Sequence, residues 1–235
     1  DKDVLEGYFI RKDRVNYEGS NDDIDTKDLN EYQEKALSEI RKSFDNEKVT
    51  LLHGVTSSGK TEVYVKLIEA CMGDGKQVLY LLPEIALTTQ LISRLQEYFG
   101  EKIAIYHSKY NVHERIEVWN NVLQQKPKAQ LVIGARSALF LPFKSLGLVI
   151  IDEEHESSFK QFDPAPRYHA RDAAIVLGNL HNAKIVLGSA TPSVESFYNV
   201  QQGKYGYAKI SRRFGNVLMP DMELVDIKEA QRKRR

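Results

Sequence analysis

The sequence predicts an α/β fold, a mostly parallel sheet with helices on both faces. Three observations carry this expectation. From residue 49 onward, short apolar runs rich in Val, Ile and Leu recur along the chain. Helix-length stretches separate them, with apolar residues spaced by three and four. The runs are continuous rather than alternating, which marks strands buried on both sides, as in sheets joined by helical crossovers.

A helix opens at Asn30-Glu31-Tyr32-Gln33, where Asn30 has N-cap character, and it uses Ala36, Leu37, Ile40 and Phe44. Val49–Val55 reads as a buried strand and Thr61–Met72 as a helix. Gln77–Leu82 is a second strand. The helix Ala86–Phe99 follows, with Leu87, Leu91, Ile92, Leu95 and Tyr98 on one face. Lys102–Tyr106 is strand-like. Val112, Ile116, Trp119 and Leu123 then form a helical stripe expected to face the core, Trp119 included. Strands at Leu131–Ile133 and Leu146–Ile151, a helix at Arg171–Leu180, a strand at Lys184–Leu187 and a helix at Pro192–Gln202 complete the alternation. That makes about six strands and no internal repeat.

Length and composition bound the rest. The 235 residues suggest one domain or one and a fraction, and 42% apolar with 28% charged residues excludes a disordered or collagen-like chain. No apolar run approaches the length of a membrane span, and the charged N-terminus excludes a signal peptide, so a cytoplasmic protein is expected. Cys71 is the single cysteine and cannot form an internal disulfide or a four-cysteine zinc site. His53, His107, His113 and His181 have no ligand spacing and read as structural. The net charge of zero hides a polarity: residues 1–31 carry ten acids and five bases, and residues 203–235 carry nine bases and four acids. Any nucleic-acid site must therefore be a local stripe. Residues 1–28 read as a linker or N-terminal extension, 29–220 as the main body and 221–235 as a strand-like run with a basic tail. The strand-like run Glu223–Ile227 suggests a chain cut at the entrance to another domain.

Gly54-Val55-Thr56-Ser57-Ser58-Gly59-Lys60-Thr61 matches G-x-x-x-x-G-K-[ST] in full, between a strand and a helix. Its glycines let backbone N–H groups surround phosphate oxygens, and the helix N-terminus adds partial positive charge. Lys60 is placed to reach the β- and γ-phosphates of a nucleoside triphosphate and Thr61 to ligate Mg²⁺, with residues 54–62, Glu62 included, forming the nucleotide cradle. Asp152-Glu153-Glu154-His155 ends an apolar strand, on the sheet edge where such folds bind ligands. Asp152 can hold Mg²⁺ and Glu153 can activate water, giving the catalytic set Lys60, Asp152 and Glu153. Gly188-Ser189-Ala190-Thr191-Pro192 has two readings: Ser189 and Thr191 relay loss of the γ-phosphate, or one of them caps a helix with Pro192 at its first turn. Gln33 either reads the adenine edge or completes a capping box with Asn30. The segment 159–171 interleaves Phe159, Phe162 and Tyr168 with Lys160, Arg167 and Arg171. This suits single-stranded nucleic acid, or alternatively a proline-stiffened loop with its aromatics in the core.

GVTSSGKTEVY (54–64), LLPEIALTTQ (81–90), IGARSALFLPF (133–143), DEEHESSFKQ (152–161), PRYHARD (166–172) and GSATPSVES (188–196) together resemble the PriA family of superfamily-2 DNA helicases, the primosomal motors that restart stalled replication forks. The resemblance runs in order through residues 29–227. It implies the first RecA-like lobe of a 3′-to-5′ helicase that uses ATP and Mg²⁺. It also implies a DNA-binding region preceding residues 1–28 and the start of a truncated second lobe in 221–235. It further assigns Gln33 to an adenine-reading motif, His155 with Ser189 and Thr191 to coupling, and Lys160, Phe162, Arg167 and Tyr168 to an aromatic-rich DNA loop. Thr88, Gln90, Arg136 and Ser137 fall in motifs that touch the DNA backbone. The implied partners are single-stranded and forked DNA, primosome proteins and single-stranded-DNA-binding protein, with no membrane. The family's zinc module belongs to the second lobe, so no zinc is expected in this chain. Ser57 stands where the family often has glycine, and Pro164-Ala165-Pro166 replaces a stretch that often carries glycine and another aromatic. Alternatives are the ATP-binding lobe of another superfamily-2 translocase in repair or restriction, or a non-catalytic module, against which the intact Lys60, Thr61, Asp152 and Glu153 argue. The lobe alone is expected to bind ATP but not to unwind DNA.

Overall fold

The computed structural model describes residues 28–86, 89–107 and 110–213. In chain order these form α1 (Glu31–Asn46), β1 (Val49–Gly54), α2 (Lys60–Gly73), β2 (Gln77–Leu81), α3 (Thr89–Phe99), β3 (Ile103–Tyr106), α4 (Val112–Leu123), β4 (Leu131–Gly134), β5 (Leu146–Asp152), α5 (Ala170–Leu180), β6 (Lys184–Ser189), α6 (Val194–Gln201) and β7 (Gly206–Ile210). The seven strands make one sheet in the order β3-β4-β2-β5-β6-β1-β7, and every pairing is parallel.

Side chains of successive strand residues point to opposite faces, so each strand feeds two cores. Val78 and Tyr80 of β2 join Leu37 and Ile40 of α1, Tyr64 and Ile68 of α2 and Leu95 of α3 on one side. Leu79 and Leu81 join Val118 and Val122 of α4, Ala174 of α5 and the fully buried Phe159 on the other. This is why the runs are apolar at every position. Among the described residues, no helix is long and apolar enough to cross a membrane.

The predicted elements are present, with three corrections. First, α4 is rotated from its expected orientation. Val112, Ile116 and Trp119 are exposed, Trp119 by 43%, while Glu117, Val118, Asn121 and Val122 face inward. The Val118–Val122 pair, one turn apart, meets the sheet, and Glu117 is accommodated by Lys128 at 3.1 Å. Second, a seventh strand, β7, adds to the expected six. Ala208 and Ile210 are buried while Tyr207 and Lys209 are exposed, the alternation of a half-buried edge strand rather than a continuous run. Third, the helix expected from Ala86 starts as α3 at Thr89, after a single 3₁₀ turn over Glu84–Ala86. Leu87, Thr88, the 1–27 extension and the Glu223–Ile227 run lie outside the described residues. Burial pushes the half-buried Cys71 thiol up to about 11, which keeps it protonated at neutral pH.

Candidate active site

The C-terminal ends of β1, β5 and β6 bring the chemistry-bearing segments together. Between β1 and α2 the chain turns through two left-handed residues, Ser57 at φ +62° and Gly59 at φ +78°. A Cβ at Gly54 would meet Lys60 Cγ and Ser58 Oγ at 2.8 Å, so glycine there lets the lysine fold back over the loop. Lys60 Nζ donates to the Gly54 carbonyl at 3.3 Å and lies 3.4 Å from Glu153 Oε1. The glycine loop and the acidic strand thus share one mouth. Val55 and Thr61 are half-buried, and Thr56 and Ser57 are exposed. Ser58 is buried, and among the described residues its hydroxyl has no hydrogen-bond partner.

The left-handed backbone at Ser57 gives a physical reason for glycine at that position. An L-residue pays roughly 1–2 kcal/mol there, partly offset by the greater freedom that glycine has in the unfolded chain. Ser57→Gly is expected to stabilise the fold by about 0.5–1 kcal/mol, read as a melting temperature about 1–4 °C higher.

Gln33 takes the capping role, with a further contact to the glycine loop. Its side-chain oxygen accepts from Asn30 N at 2.9 Å, completing a capping box, while its amide nitrogen donates to the carbonyls of Ser58 and Gly59 at 3.2 and 3.3 Å. Gln33 is thereby tied to the glycine loop. Glu62 requires a correction, because it does not face the loop. It is 8% exposed and pairs with Arg94, and Tyr98 donates to it at 2.9 Å, both from α3. Two residues along a helix rotate by about 200°, so Glu62 points away from Lys60.

On β5, Asp152 Oδ1 accepts from Tyr64 Oη at 3.0 Å and from the Glu153 backbone N–H at 3.1 Å, and Oδ2 accepts from Tyr80 Oη at 3.2 Å. Burial pushes the Asp152 carboxyl above its ordinary range. The Lys60 ammonium opposes this, the Glu153 carboxylate reinforces it, and the Tyr64 and backbone hydrogen bonds oppose it. Burial first, and the Asp152 charge second, push both phenols well above their ordinary value. Glu153 itself sits in the left-handed region at φ +51°.

The residues expected to couple come together. His155 Nδ1 lies 2.8 Å from Ser189 Oγ, its Nε2 lies 3.3 Å from Thr191 Oγ1, and Glu153 Oε2 is 3.7 Å from Nδ1. Neither Ser189 nor Thr191 caps the next helix, however. Ser193 does, accepting from Ser196 N at 3.3 Å. The helix starts later than expected because Ser189 Oγ already accepts from Thr191 N at 2.9 Å, closing a tight turn before Pro192.

Sequence reasoning missed Glu154. It is fully buried and is held by Arg171 Nη1 at 3.0 Å, Ser193 N at 2.7 Å, Ser193 Oγ at 3.0 Å and Ser196 Oγ at 2.8 Å. Burial pulls Arg171 down, but its bonds to Asp172 and Glu154 outweigh this and raise it above its ordinary value. Each partner lies inside one of the sequence motifs, yet their proximity is a tertiary fact. Tyr64 and Tyr80 were also missed, although Tyr64 stands one helical turn after Lys60 and so shares its face.

Of the residues expected at DNA, one group lies on segments joined by direct contacts. Arg136 Nη1 donates to the Lys160 carbonyl at 2.9 Å, and Arg167 Nε donates to the Phe162 carbonyl at 2.8 Å. Tyr168 packs edge-on against Phe140 with ring centroids 5.3 Å apart. Phe162 is 68% exposed, Ser137 is exposed, and Lys160 bridges His169 in a short antiparallel contact. Gln90 is exposed on a separate element, at the start of α3. Thr88 lies outside the described residues.

Comparison with known proteins adds an independent line. The model of the DEAD/DEAH box helicase family matches residues 30–200. The chain is 44% identical over 206 residues to the replication restart protein PriA of Bacillus subtilis (strain 168), covering 87% of this chain and 25% of that protein. It is 48% identical over 200 residues to the protein of the same name from Rickettsia felis, covering 85% and 30%. The chain thus spans about a quarter to a third of the length of these curated relatives. Among solved structures, RecG bound to a three-way DNA junction superposes with a TM-score of 0.56 at 24% identity, over 80% of this chain and 25% of that one. The helicase MrfA bound to DNA gives 0.56 at 18%, over 77% and 27%. These two structural likenesses concern the fold.

Proposed function

Because the chain belongs to the DEAD/DEAH box helicase family, we propose that it is the ATP-binding motor lobe of a 3′-to-5′ DNA helicase that acts in replication restart. The observation that carries this reading is the Lys60 amine, held between the Gly54 carbonyl and Glu153 at one sheet edge. A triphosphate entering that mouth exchanges for Glu153 on Lys60, and the freed carboxylate can orient and deprotonate a water. The loop suits a phosphate cradle, since the buried Ser58 hydroxyl lacks a partner among the described residues. Thr61 and Asp152 supply the hard oxygen donors that suit magnesium. Mg²⁺ held by them would supply positive charge against the phosphate oxygens. Gln33 is tied to the loop and is proposed to sense the base.

The lobe-like span 29–220, the DNA surface made by Arg136, Ser137, Lys160, Phe162, Arg167 and Tyr168, and the His155–Ser189–Thr191 relay belong to the same proposal. Forked DNA as substrate and primosome partners are part of the proposal and rest on the resemblance of the motifs; the relatives' names support a role in replication restart. In two-lobed motors an arginine arriving in trans can be worth roughly 10³–10⁵ in rate. The 235-residue chain is therefore expected to bind Mg-ATP, to lose more than tenfold in affinity on Lys60→Ala, and to hydrolyse ATP poorly. Calorimetric titration and phosphate release test this. Strong DNA-stimulated hydrolysis by the chain alone, or wild-type affinity in Lys60→Ala, would overturn it.

A further inference from the structure

We propose that Tyr64 and Tyr80 are positioning residues that orient Asp152 so that its Oδ2 is the oxygen presented to magnesium, an inference that rests on the nucleotide site proposed above. A carboxylate has about four lone-pair positions, two per oxygen. Oδ1 spends both, on the Tyr64 hydroxyl at 3.0 Å and the Glu153 N–H at 3.1 Å. Oδ2 spends one, on the Tyr80 hydroxyl at 3.2 Å, and among the described residues keeps the other.

The arrangement is built from several elements at once. Tyr64 comes from the helix that follows the glycine loop, Tyr80 from β2 and Asp152 from β5, with Gly188 of β6 paired beside it. Both tyrosines are completely buried, and their rings meet edge-on with centroids 5.6 Å apart, so neither hydroxyl can swing away. A Cβ at Gly188 would lie 1.7 Å from Tyr64 Oη and 3.0 Å from Asp152 Oδ1. Any side chain there would displace the phenol from the carboxylate, so the glycine keeps this contact possible. Outer partners of metal ligands typically tune affinity by 10–100-fold, through orientation rather than direct contact.

The test compares ATP binding to the 235-residue chain in Mg²⁺ and in EDTA. Tyr64→Phe and Tyr80→Phe each remove one hydroxyl and preserve ring volume. Each is expected to reduce the ratio of Mg-ATP affinity to ATP affinity in EDTA by about tenfold. Binding in EDTA should stay within about twofold. The inference is overturned if both variants keep the wild-type ratio, or if both affinities fall together. It is overturned equally if both variants lose the fold, which would assign the tyrosines to the core alone. Where only Tyr64→Phe fails to fold, Tyr80→Phe decides. A wild-type chain that binds no ATP in either condition would instead sink the underlying nucleotide reading.

Discussion

Glu153→Gln is expected to lower ATP hydrolysis by the full-length protein by about two to four orders of magnitude, with ATP affinity within about threefold of wild type. The substitution keeps the shape of the side chain and removes its ability to accept a proton. Glu153 is held in position by backbone as much as by side chain. Its φ of +51° is unusual for a residue with a Cβ, and such strain persists only where the surroundings over-determine it. Here its N–H is bonded to Asp152 Oδ1, its carbonyl accepts from Glu156 N at 2.9 Å, and the next N–H reaches the Gly188 carbonyl at 3.0 Å. The carboxylate remains 37% exposed, open enough to meet water, and pairs with Lys60 at 3.4 Å. Steady-state phosphate release, set against equilibrium ATP binding, separates the two effects. Hydrolysis within tenfold of wild type would remove Glu153 as the base.

Arg171→Ala is expected to cost about 3–5 kcal/mol, because it leaves the Glu154 carboxylate buried without its cation. The remaining donors, Ser193 N, Ser193 Oγ and Ser196 Oγ, are dipoles and do not neutralise it. For a unit of this size the loss corresponds to a fall in melting temperature on the order of 10 °C. Glu154→Gln keeps acceptor geometry, removes the charge and should cost less. Thermal denaturation of the 235-residue chain decides the matter. A shift below about 2 °C for Arg171→Ala would mean that water reaches Glu154 readily in solution. Because the pair ties the acidic strand to α5 and to the cap of α6, loosening it should also weaken the register between Glu153, His155 and Ser189.

What was legible in the sequence was local. The glycine loop and the Asp152-Glu153 pair are contiguous, and their flanking apolar runs state which sheet edge they occupy. Glu62 is misplaced when adjacency to Lys60 in sequence is equated with adjacency in space, because the helical turn sends it to Arg94 and Tyr98. The stripe of α4 has the right period but the wrong face. Periodicity reports that a helix is two-sided, and only packing decides that Val118 and Val122 go inward while Trp119 does not. The contacts of Tyr64, Tyr80, Glu154 and Arg171 were invisible for another reason, and Arg171, grouped in sequence with the cations of the 159–171 segment, is instead buried against Glu154. Each is ordinary by itself, and their contacts span 17 to 88 residues of chain.

The strand order has a consequence for how the site tolerates change. β6 lies between β1 and β5, so the glycine loop and the acidic pair stand two interstrand steps apart, about 9.5 Å in the hydrogen-bonding direction. That gauge is set by main-chain ladders and is indifferent to which apolar side chains fill the layers above and below. Core drift over evolutionary time can therefore leave the working gap unaltered, whereas an inserted or deleted strand would rescale it in one step.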